Sequence, residues 1–154
     1  MNKSKKNILI VGGTGFIGYH LAKESLKKGW LVTSISTRKP KKLRKLKKVD
    51  YIICDITKKK SLDKKIKKQF NYVVNLAGYV DHSNKLKTHT SHYIGCKNLT
   101  EILSKNLPDA FIQIGSGGEY GKKKPPHKEN FKCNPVSVYY KAKYLSTKHL
   151  IRLF

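Results

Sequence analysis

The chain has 154 residues, which is enough for one domain with one hydrophobic core. It carries 34 Lys and Arg against 9 Asp and Glu, so its formal net charge is +25. Only three of the cations are Arg and the lysines are spread along the chain, a pattern more typical of a solvated surface than of a nucleic-acid interface. We therefore predict no nucleic-acid partner and, because no apolar run is long enough to span a bilayer, no membrane partner.

Strands and helices alternate along the chain. Continuous β-branched runs predict strands, and apolar residues at helical spacing predict helices. In chain order these are a strand at 7–12, a helix at 16–28 that Gly29 ends, a strand at 31–36, a short basic helix or turn at 41–48, a strand at 51–54, a helix at 62–70, a strand at 72–76, a helix at 92–106, a strand at 110–114, a polar loop at 121–135 and a helix from 138 to the end. This alternation predicts right-handed βαβ units. We expect one α/β domain over residues 1–154, a doubly wound parallel sheet with strand order 3-2-1-4-5.

Cysteine and histidine usage bears on compartment and metal binding. Cys54, Cys96 and Cys133 show no CxxC spacing and are typical of reduced thiols, so we predict a cytoplasmic protein. His89 and His92 lie three residues apart, but no further cluster of ligating residues accompanies them. We predict no metal site.

The end of the first strand is the first candidate binding site. The motif Gly12-Gly13-Thr14-Gly15-Phe16-Ile17-Gly18 places three glycines at three-residue intervals between a strand and a helix. In this context Gly12 allows a tight turn, Gly15 lets a pyrophosphate approach the backbone, and Gly18 lets helix and strand pack closely. The helix N-terminus adds free N–H groups and a positive dipole. The motif therefore predicts a dinucleotide-binding loop.

The end of the second strand indicates which dinucleotide binds. Sites for NAD usually place an acidic residue here, which hydrogen-bonds the ribose 2′-OH. This chain has Ser36-Thr37-Arg38-Lys39 instead, and the next acidic residue along the chain is Asp50. Arg38 is suited to pair with a 2′-phosphate, so we predict NADP, with NAD as the alternative if Arg38 is only one more surface cation.

A second candidate site combines the last helix with the end of the fifth strand. Tyr139 and Lys143 are four residues apart, so they share one helix face. A nearby ammonium stabilises a phenolate, which would let Tyr139 exchange a proton with a substrate oxygen. Ser116, just after the fifth strand, lies where ligands bind in open α/β sheets and would hydrogen-bond the same oxygen. We predict Ser116, Tyr139 and Lys143 as the catalytic residues, with Lys143 also hydrogen-bonding the nicotinamide ribose.

Together these motifs resemble the extended short-chain dehydrogenase/reductases, the NAD-dependent epimerase/dehydratase family, over essentially the whole chain. The resemblance implies a Rossmann domain that binds NAD(P). It assigns an adenine contact to Asp55, within Cys54-Asp55-Ile56-Thr57, and implies that the loop after the fourth strand lines the cofactor. Pro135-Val136-Ser137-Val138-Tyr139 reproduces the family's lead-in to its catalytic tyrosine. The cofactor contacts implied in this way are Asp55, Ile56, Leu76, Ala77 and Gly78, in addition to the glycine loop, Arg38 and Lys143.

The resemblance also implies a reaction class. Family members mostly act on nucleotide-activated sugars as epimerases, dehydratases or ketoreductases. Dehydratases carry Asp-Glu directly after the catalytic Ser or Thr, where this chain has Gly117-Gly118, so 4,6-dehydration is not expected. With Arg38 indicating NADP, we expect reduction of a 4-keto sugar, and an epimerase that holds NAD tightly is the alternative.

Two departures from the family bear on activity. His92 stands where the family has an Asn that supports the active site. Family members continue into a C-terminal substrate domain, which we expect this chain to lack because it ends at Phe154, within the helix that carries Tyr139. The apolar end of that helix favours association. The resemblance implies a homodimer through residues 138–154, because dimers of the family form through a helix bundle that includes the tyrosine-bearing helix, and a separate C-terminal subunit is the alternative partner. The alternative to an active enzyme is a catalytically incomplete dinucleotide-binding module or a truncated remnant.

Overall fold

Residues 5–81 and 83–153 are described by the computed structural model, and their five strands form a single sheet. In chain order the elements are β1 (Asn7–Val11), α1 (Phe16–Lys27), β2 (Leu31–Ser36), a 3-10 turn (Lys42–Arg44), β3 (Val49–Ile53), α2 (Lys59–Lys65), β4 (Tyr72–Asn75), α3 (Lys85–His89), a π-helical turn (Thr90–Ile94), α4 (Gly95–Leu103), β5 (Ala110–Gln113), a second 3-10 turn (Gly117–Tyr120) and α5 (Val138–Ile151).

The sheet has the strand order β3-β2-β1-β4-β5, and all four pairings are parallel. This confirms the predicted doubly wound arrangement. At the carboxyl end of the central strand, Val11 is level with Ile35 of β2 and with Asn75 of β4. Because the winding reverses between β1 and β4, the residues that follow these strands face a common crevice, which is where open α/β sheets bind ligands.

The residues of β1 alternate between two hydrophobic cores on opposite faces of the sheet. Leu9 and Val11 belong to the core that contains residues of α2 and α4, whereas Ile8 and Ile10 belong to the core that contains Ala22 of α1. All four β1 side chains are at most 2 % exposed. Burying an aliphatic side chain of this size contributes roughly 1.5–3 kcal/mol, so β1 is anchored from both faces and gives the loop after it a rigid base.

The helix predicted at 62–70 is wrong in its bounds, because α2 runs from Lys59 to Lys65. Ile66 already has extended backbone, with φ −90° and ψ 100°. Ile66 and Phe70 are nevertheless buried. The apolar spacing correctly marked core residues: the Ile66 N–H still donates to the Leu62 carbonyl at 2.9 Å and closes the end of α2, whereas Phe70 is buried from the irregular segment that follows.

The helix predicted at 92–106 starts and ends earlier in the structure. Its first turns are α3, and Asn84 caps them by accepting a hydrogen bond at Oδ1 from the Lys87 N–H at 2.9 Å. α3 continues through the π-helical turn into α4, which ends at Leu103. The start was missed because the first turns carry exposed side chains, Leu86 among them, and so lack an apolar stripe.

The remaining bounds differ little from prediction. β3 begins at Val49, two residues before its predicted start. Gly29 has φ +75° and follows the C-cap of α1, as its predicted role at the end of that helix requires. α5 ends at Ile151. Ile151 and Leu153 are exposed, and Phe154 lies outside the described residues.

Candidate active site

The loop after β1 is closed by contacts that require glycine. Gly12 has φ +83°, a left-handed conformation, and its N–H donates to the Ile35 carbonyl at 2.7 Å. A Cβ on Gly18 would lie 2.5 Å from both the Gly12 oxygen and the Gly13 Cα, and a Cβ on Gly13 would lie 2.3 Å from Ser34 Oγ. Side chains at these positions would therefore force the loop away from α1 and β2.

This loop leaves the first turn of α1 open to the crevice. Gly15 is the N-cap of α1, and its carbonyl accepts the Tyr19 N–H at 3.0 Å. The N–H groups of the preceding first-turn residues have no acceptor within the helix, as at every helix start. These groups and the helix dipole favour an anion, and the missing side chain at Gly15 leaves it room. The loop therefore fits the pyrophosphate of a dinucleotide.

A cleft of about 800 Å³ opens at the carboxyl ends of the strands. Phe16 and Ile17 do not line it and their side chains are largely exposed, so the cofactor contact predicted for them stays a prediction. Gly13, Gly18 and Lys143 are also not part of its lining. The other predicted cofactor contacts all line the cleft: Gly12, Thr14, Gly15, Arg38, Asp55, Ile56, Leu76, Ala77 and Gly78.

Side chains at the ends of β2 and β3 shape two parts of the cleft wall. Ser36 Oγ accepts from the Thr14 N–H at 3.2 Å, which ties the glycine loop to the end of β2. Arg38 follows two residues later and is exposed where it lines the cleft. On the β3 side, Asp55 Oδ1 accepts from the Thr57 N–H at 2.9 Å, so a local turn orients this carboxylate.

Another wall of the cleft was not predicted from the sequence. The Tyr79 N–H donates to Ser91 Oγ at 3.0 Å, and Lys87 Nζ lies 5.8 Å from the Tyr79 ring centroid, so the loop after β4 and the helix that follows it hold each other. The capping residue Asn84 was the sequence signal that could have located this helix and its wall. The residues of this wall are Tyr79, Val80, Asp81, Leu86, Lys87, Thr90 and Ser91.

Helix α5 brings Tyr139 and Lys143 to the end of β5. Lys143 is 5 % exposed, and its Nζ donates to the Ile114 carbonyl at 2.7 Å, one residue beyond β5. Nζ also lies 5.8 Å from the Tyr139 ring centroid, so the two side chains are neighbours on one face of α5. Burial lowers the pKa of Lys143, whereas Glu119 and Cys96 raise it. An ammonium has three donors, so two remain after the bond to Ile114.

Ser116 begins the 3-10 turn that follows β5. Its Oγ accepts from the Gly118 N–H at 3.3 Å and its N–H donates to Glu119 Oε1 at 2.7 Å, in a capping box. The Ser116 hydroxyl keeps its own hydrogen for donation, which binding of a substrate oxygen requires. A Cβ on Gly118 would lie 2.2 Å from Tyr140 Cε1. The turn that carries Ser116 therefore packs directly against the helix that carries Tyr139.

His92 lies between the cleft wall and Tyr139. His92 is 5 % exposed, and its ring meets the Tyr139 ring edge-on with the centroids 5.0 Å apart. Its Nε2 lies 3.3 Å from the Tyr79 carbonyl oxygen, and a Cβ on Gly78 would lie 2.0 Å from its Cε1. Since Gly78 and Tyr79 line the cleft, the His92 imidazole contacts both this wall and Tyr139. Lys143 and the turn that begins at Ser116 thus lie at the end of β5, and Tyr139 lies against His92 and Lys143. None of the three catalytic candidates lines the cleft itself.

Metal-ligating residues do not cluster in the part of the chain that the structure describes. Within residues 5–81 and 83–153, no three His, Cys, Asp or Glu side chains come together in a group that could hold a metal ion. In the same residues, no helix combines the length and the apolar character needed to cross a membrane.

A parallel sheet that reverses its winding at β1, with a glycine loop at that point, is the Rossmann arrangement, and the fold places the chain in that class of α/β proteins. Its particular family follows from sequence. The model of the NAD dependent epimerase/dehydratase family matches residues 8–153, and the chain belongs to this family. The predicted family and fold class are therefore confirmed.

Known proteins are similar to the chain over nearly all of its length. A bifunctional UDP-glucose 4-epimerase and UDP-xylose 4-epimerase of Pisum sativum is 27 % identical over 161 residues, which cover 93 % of this chain and 46 % of the relative. A UDP-glucose 4-epimerase of Thermotoga maritima, solved with UDP-glucose, has a TM-score of 0.86 at 24 % identity and covers 95 % of this chain and 50 % of its own. The Bordetella bronchiseptica enzyme WbmG, solved with NAD, has a TM-score of 0.87 at 20 % identity, with 98 % and 51 % covered. The chain spans about half the length of the curated relatives it matches.

Proposed function

We propose that the chain is the cofactor-binding and proton-transferring part of an enzyme that acts on a nucleotide-activated sugar. The observation that carries this proposal is the grouping at the end of β5. There Lys143 is buried on the Ile114 carbonyl beside the Tyr139 ring, and the turn that begins at Ser116 packs against the same helix. The substrate class is supported by the similar proteins of Pisum sativum and Thermotoga maritima, which are named as UDP-glucose 4-epimerases.

The proposal assigns a nicotinamide dinucleotide to the cleft. The glycine loop and the start of α1 would hold its pyrophosphate, Asp55 and Ile56 would contact its adenine, and the loop Leu76-Ala77-Gly78 would line its path. Arg38, at the end of β2, is suited to a 2′-phosphate and supports NADP. NAD is the alternative, because WbmG, which shares the fold, is solved with NAD.

Proton transfer at the sugar oxygen is the part of the reaction that the chain's own side chains perform. The dinucleotide supplies hydride transfer to or from a sugar carbon when bound. Tyr139 Oη would give or take the proton, and the Ser116 hydroxyl would hydrogen-bond the same oxygen. The Lys143 ammonium would stabilise the phenolate form of Tyr139. Acid–base assistance of this kind contributes roughly 10²–10⁴-fold to a rate.

Net reduction of a 4-keto sugar is the reaction we propose, and epimerisation is the second candidate. Gly117 and Gly118 stand where dehydratases have Asp-Glu, and Arg38 favours NADP, which reductases consume. Epimerisation is favoured by the names of the relatives. The two differ in stoichiometry, since reduction oxidises one NADPH for each sugar and epimerisation leaves the cofactor unchanged. Conversion of the sugar without loss of NADPH absorbance would establish the second candidate.

Titration of the purified chain with NADPH and NADH tests the cofactor assignment. Binding to the folded state raises the free energy of unfolding, by about 2.7 kcal/mol at a ligand concentration of 100 times Kd. We expect saturable binding with a preference for NADPH, measured by thermal stability and binding heat. Tighter NADH binding would overturn the role of Arg38. Absence of binding to either would leave a truncated remnant as the better description.

We also propose that α5 contributes to an interface, with a second copy of the chain or with a separate C-terminal subunit. Ile151 and Leu153 at its end are 74 % and 48 % exposed, which supports an apolar contact. Light scattering on the purified chain tests the homodimer. A clean monomer over a tenfold range of concentration would exclude it.

A further inference from the structure

Glu119 is a buried carboxylate that has no part in the cofactor or substrate contacts proposed above. It is only 6 % exposed, although charged side chains are rarely buried without partners. Its Oε1 accepts from the Ser116 N–H at 2.7 Å, and its Oε2 accepts from Thr147 Oγ1 at 2.9 Å. One carboxylate thus joins the turn that carries Ser116 to the helix that carries Lys143.

The backbone around Glu119 strengthens this junction. Its N–H donates to the Ser116 carbonyl at 3.0 Å, and its own carbonyl accepts from the Asn134 N–H at 3.0 Å. Gly115 packs against the carboxylate, since a Cβ there would lie 3.0 Å from Oε1. The end of β5, the polar loop before α5 and α5 itself therefore all meet at Glu119, which fixes how Ser116 sits relative to the helix.

The charge of Glu119 also acts on Lys143. Burial lowers the pKa of Lys143 below its ordinary value, and Glu119 and, after it, Cys96 oppose this effect only in part. Thr147 lies one turn after Lys143 on α5, so its bond to Oε2 keeps the carboxylate on the same side of the helix. A Lys143 that keeps its proton is what a phenolate at Tyr139 needs.

We propose that Glu119 is a positioning residue of the active site, whose carboxylate ties Ser116 to α5 and supplies the counter-charge for the buried Lys143. Its consequence for catalysis rests on the proposed function. Its effect on Lys143 is independent of which reaction the enzyme performs, so the two can be tested separately.

The titration of Lys143 is the direct test, followed through the carbon-13 signal of its Cε in lysine-labelled protein and assigned with Lys143→Arg. Glu119→Gln keeps an oxygen that can accept the Ser116 N–H but loses the charge. We expect Lys143 to titrate at lower pH in Glu119→Gln than in the wild type. The matched control is Glu101→Gln, which removes a half-exposed carboxylate that pairs with Lys59 away from the site, and it should leave the titration unchanged. The same Lys143 titration in Glu119→Gln and wild type would overturn the proposal.

Thr147 provides a second test that leaves Glu119 in place, should Glu119→Gln fail to fold. Thr147→Val removes the hydroxyl that donates to Oε2, and Thr147→Ser keeps it. We expect Thr147→Val to lower the pH at which Lys143 titrates and Thr147→Ser to behave like the wild type. If Lys143 titrates identically in the two variants, the hydrogen bond from Thr147 to Glu119 does not influence Lys143, which would contradict the proposal.

The pH profile of turnover gives the catalytic readout. Without the counter-charge, Lys143 loses its proton at lower pH, so the alkaline limb of the profile should move to lower pH in Glu119→Gln. An active Glu119→Gln enzyme whose alkaline limb stays in place would count against the positioning role. Failure of the proposed function gives a different result: the wild type then shows no turnover or dinucleotide binding, while Lys143 still titrates differently in Glu119→Gln.

Discussion

Gly18→Ala should damage the loop after β1 and with it the proposed dinucleotide site. The added Cβ would lie 2.5 Å from the Gly12 oxygen and 2.5 Å from the Gly13 Cα. A carbon approaches a carbonyl oxygen to about 3.3 Å, so helix and loop must separate by about 0.8 Å. Both neighbours are backbone and cannot rotate away, and overpacking of this kind costs about 1–3 kcal/mol. Loss of one charge-assisted hydrogen bond from the displaced loop to the pyrophosphate would weaken NADPH binding at least about tenfold.

Gly29→Ala is the matched control for this prediction. Gly29 has φ +75°, which costs about 1–2 kcal/mol for an alanine, but a Cβ there meets nothing within 4 Å and lies at the other end of α1. Urea denaturation measures the free energies of unfolding, and titration with NADPH measures affinity. We expect both variants to lose stability and only Gly18→Ala to lose affinity. A Gly18→Ala protein that binds NADPH as tightly as the wild type and unfolds within about 0.5 kcal/mol of it would refute the reasoning.

Three further predictions concern single side chains. Tyr139→Phe should lower turnover by roughly 10²–10⁴-fold in a steady-state assay and leave NADPH affinity unchanged. The control Tyr140→Phe should stay active. Full activity of Tyr139→Phe would contradict the acid–base role of Tyr139. Arg38→Ala should weaken NADPH binding by roughly ten- to a hundredfold in calorimetric titration and leave NADH binding unchanged. The control Lys39→Ala should bind both cofactors like the wild type. Equal losses of affinity for both cofactors in Arg38→Ala would contradict the 2′-phosphate contact. Burial raises the pKa of Cys96 from 9.0 to about 11, so its contribution to stability is complete below pH 9.0 and is lost as the pH rises towards 11. Urea denaturation should show this loss of unfolding free energy, at most roughly 2–3 kcal/mol, in the wild type and not in Cys96→Ala. If the unfolding free energies of the two proteins change in parallel with pH, the effect is not due to Cys96.

The strand order was predictable because each strand is marked by a contiguous run of residues in the sequence. Strands appear as continuous β-branched runs, and right-handed crossovers leave few ways to wind five parallel strands. The glycine loop is also contiguous, and its spacing reflects physical requirements: a positive φ at Gly12 and the absence of a side chain at Gly18. The fold and the glycine loop could therefore be derived from the sequence alone.

The bounds of the helices were less predictable. Ile66 and Phe70 follow Leu62 at helical spacing, yet both lie beyond the last residue of α2 and are still buried. Asn84 caps a helix in which Leu86 is exposed and the polar Thr88 is buried, so burial there does not follow an apolar pattern. Apolar spacing shows which side chains are buried, but several backbone conformations can bury them equally well.

The sequence by itself determined the class of fold, the family and the identity of the candidate catalytic residues. Only the tertiary structure decided how those residues are held. The capping-box spacing of Ser116 and Glu119 is visible in the sequence, but the bond from Glu119 to Thr147 joins residues 28 positions apart, and the bond from Lys143 to Ile114 joins residues 29 apart. Both contacts require β5 and α5 to meet in space. A carboxylate and an ammonium can be buried together only where their hydrogen-bond partners are already assembled, and that assembly is a product of packing.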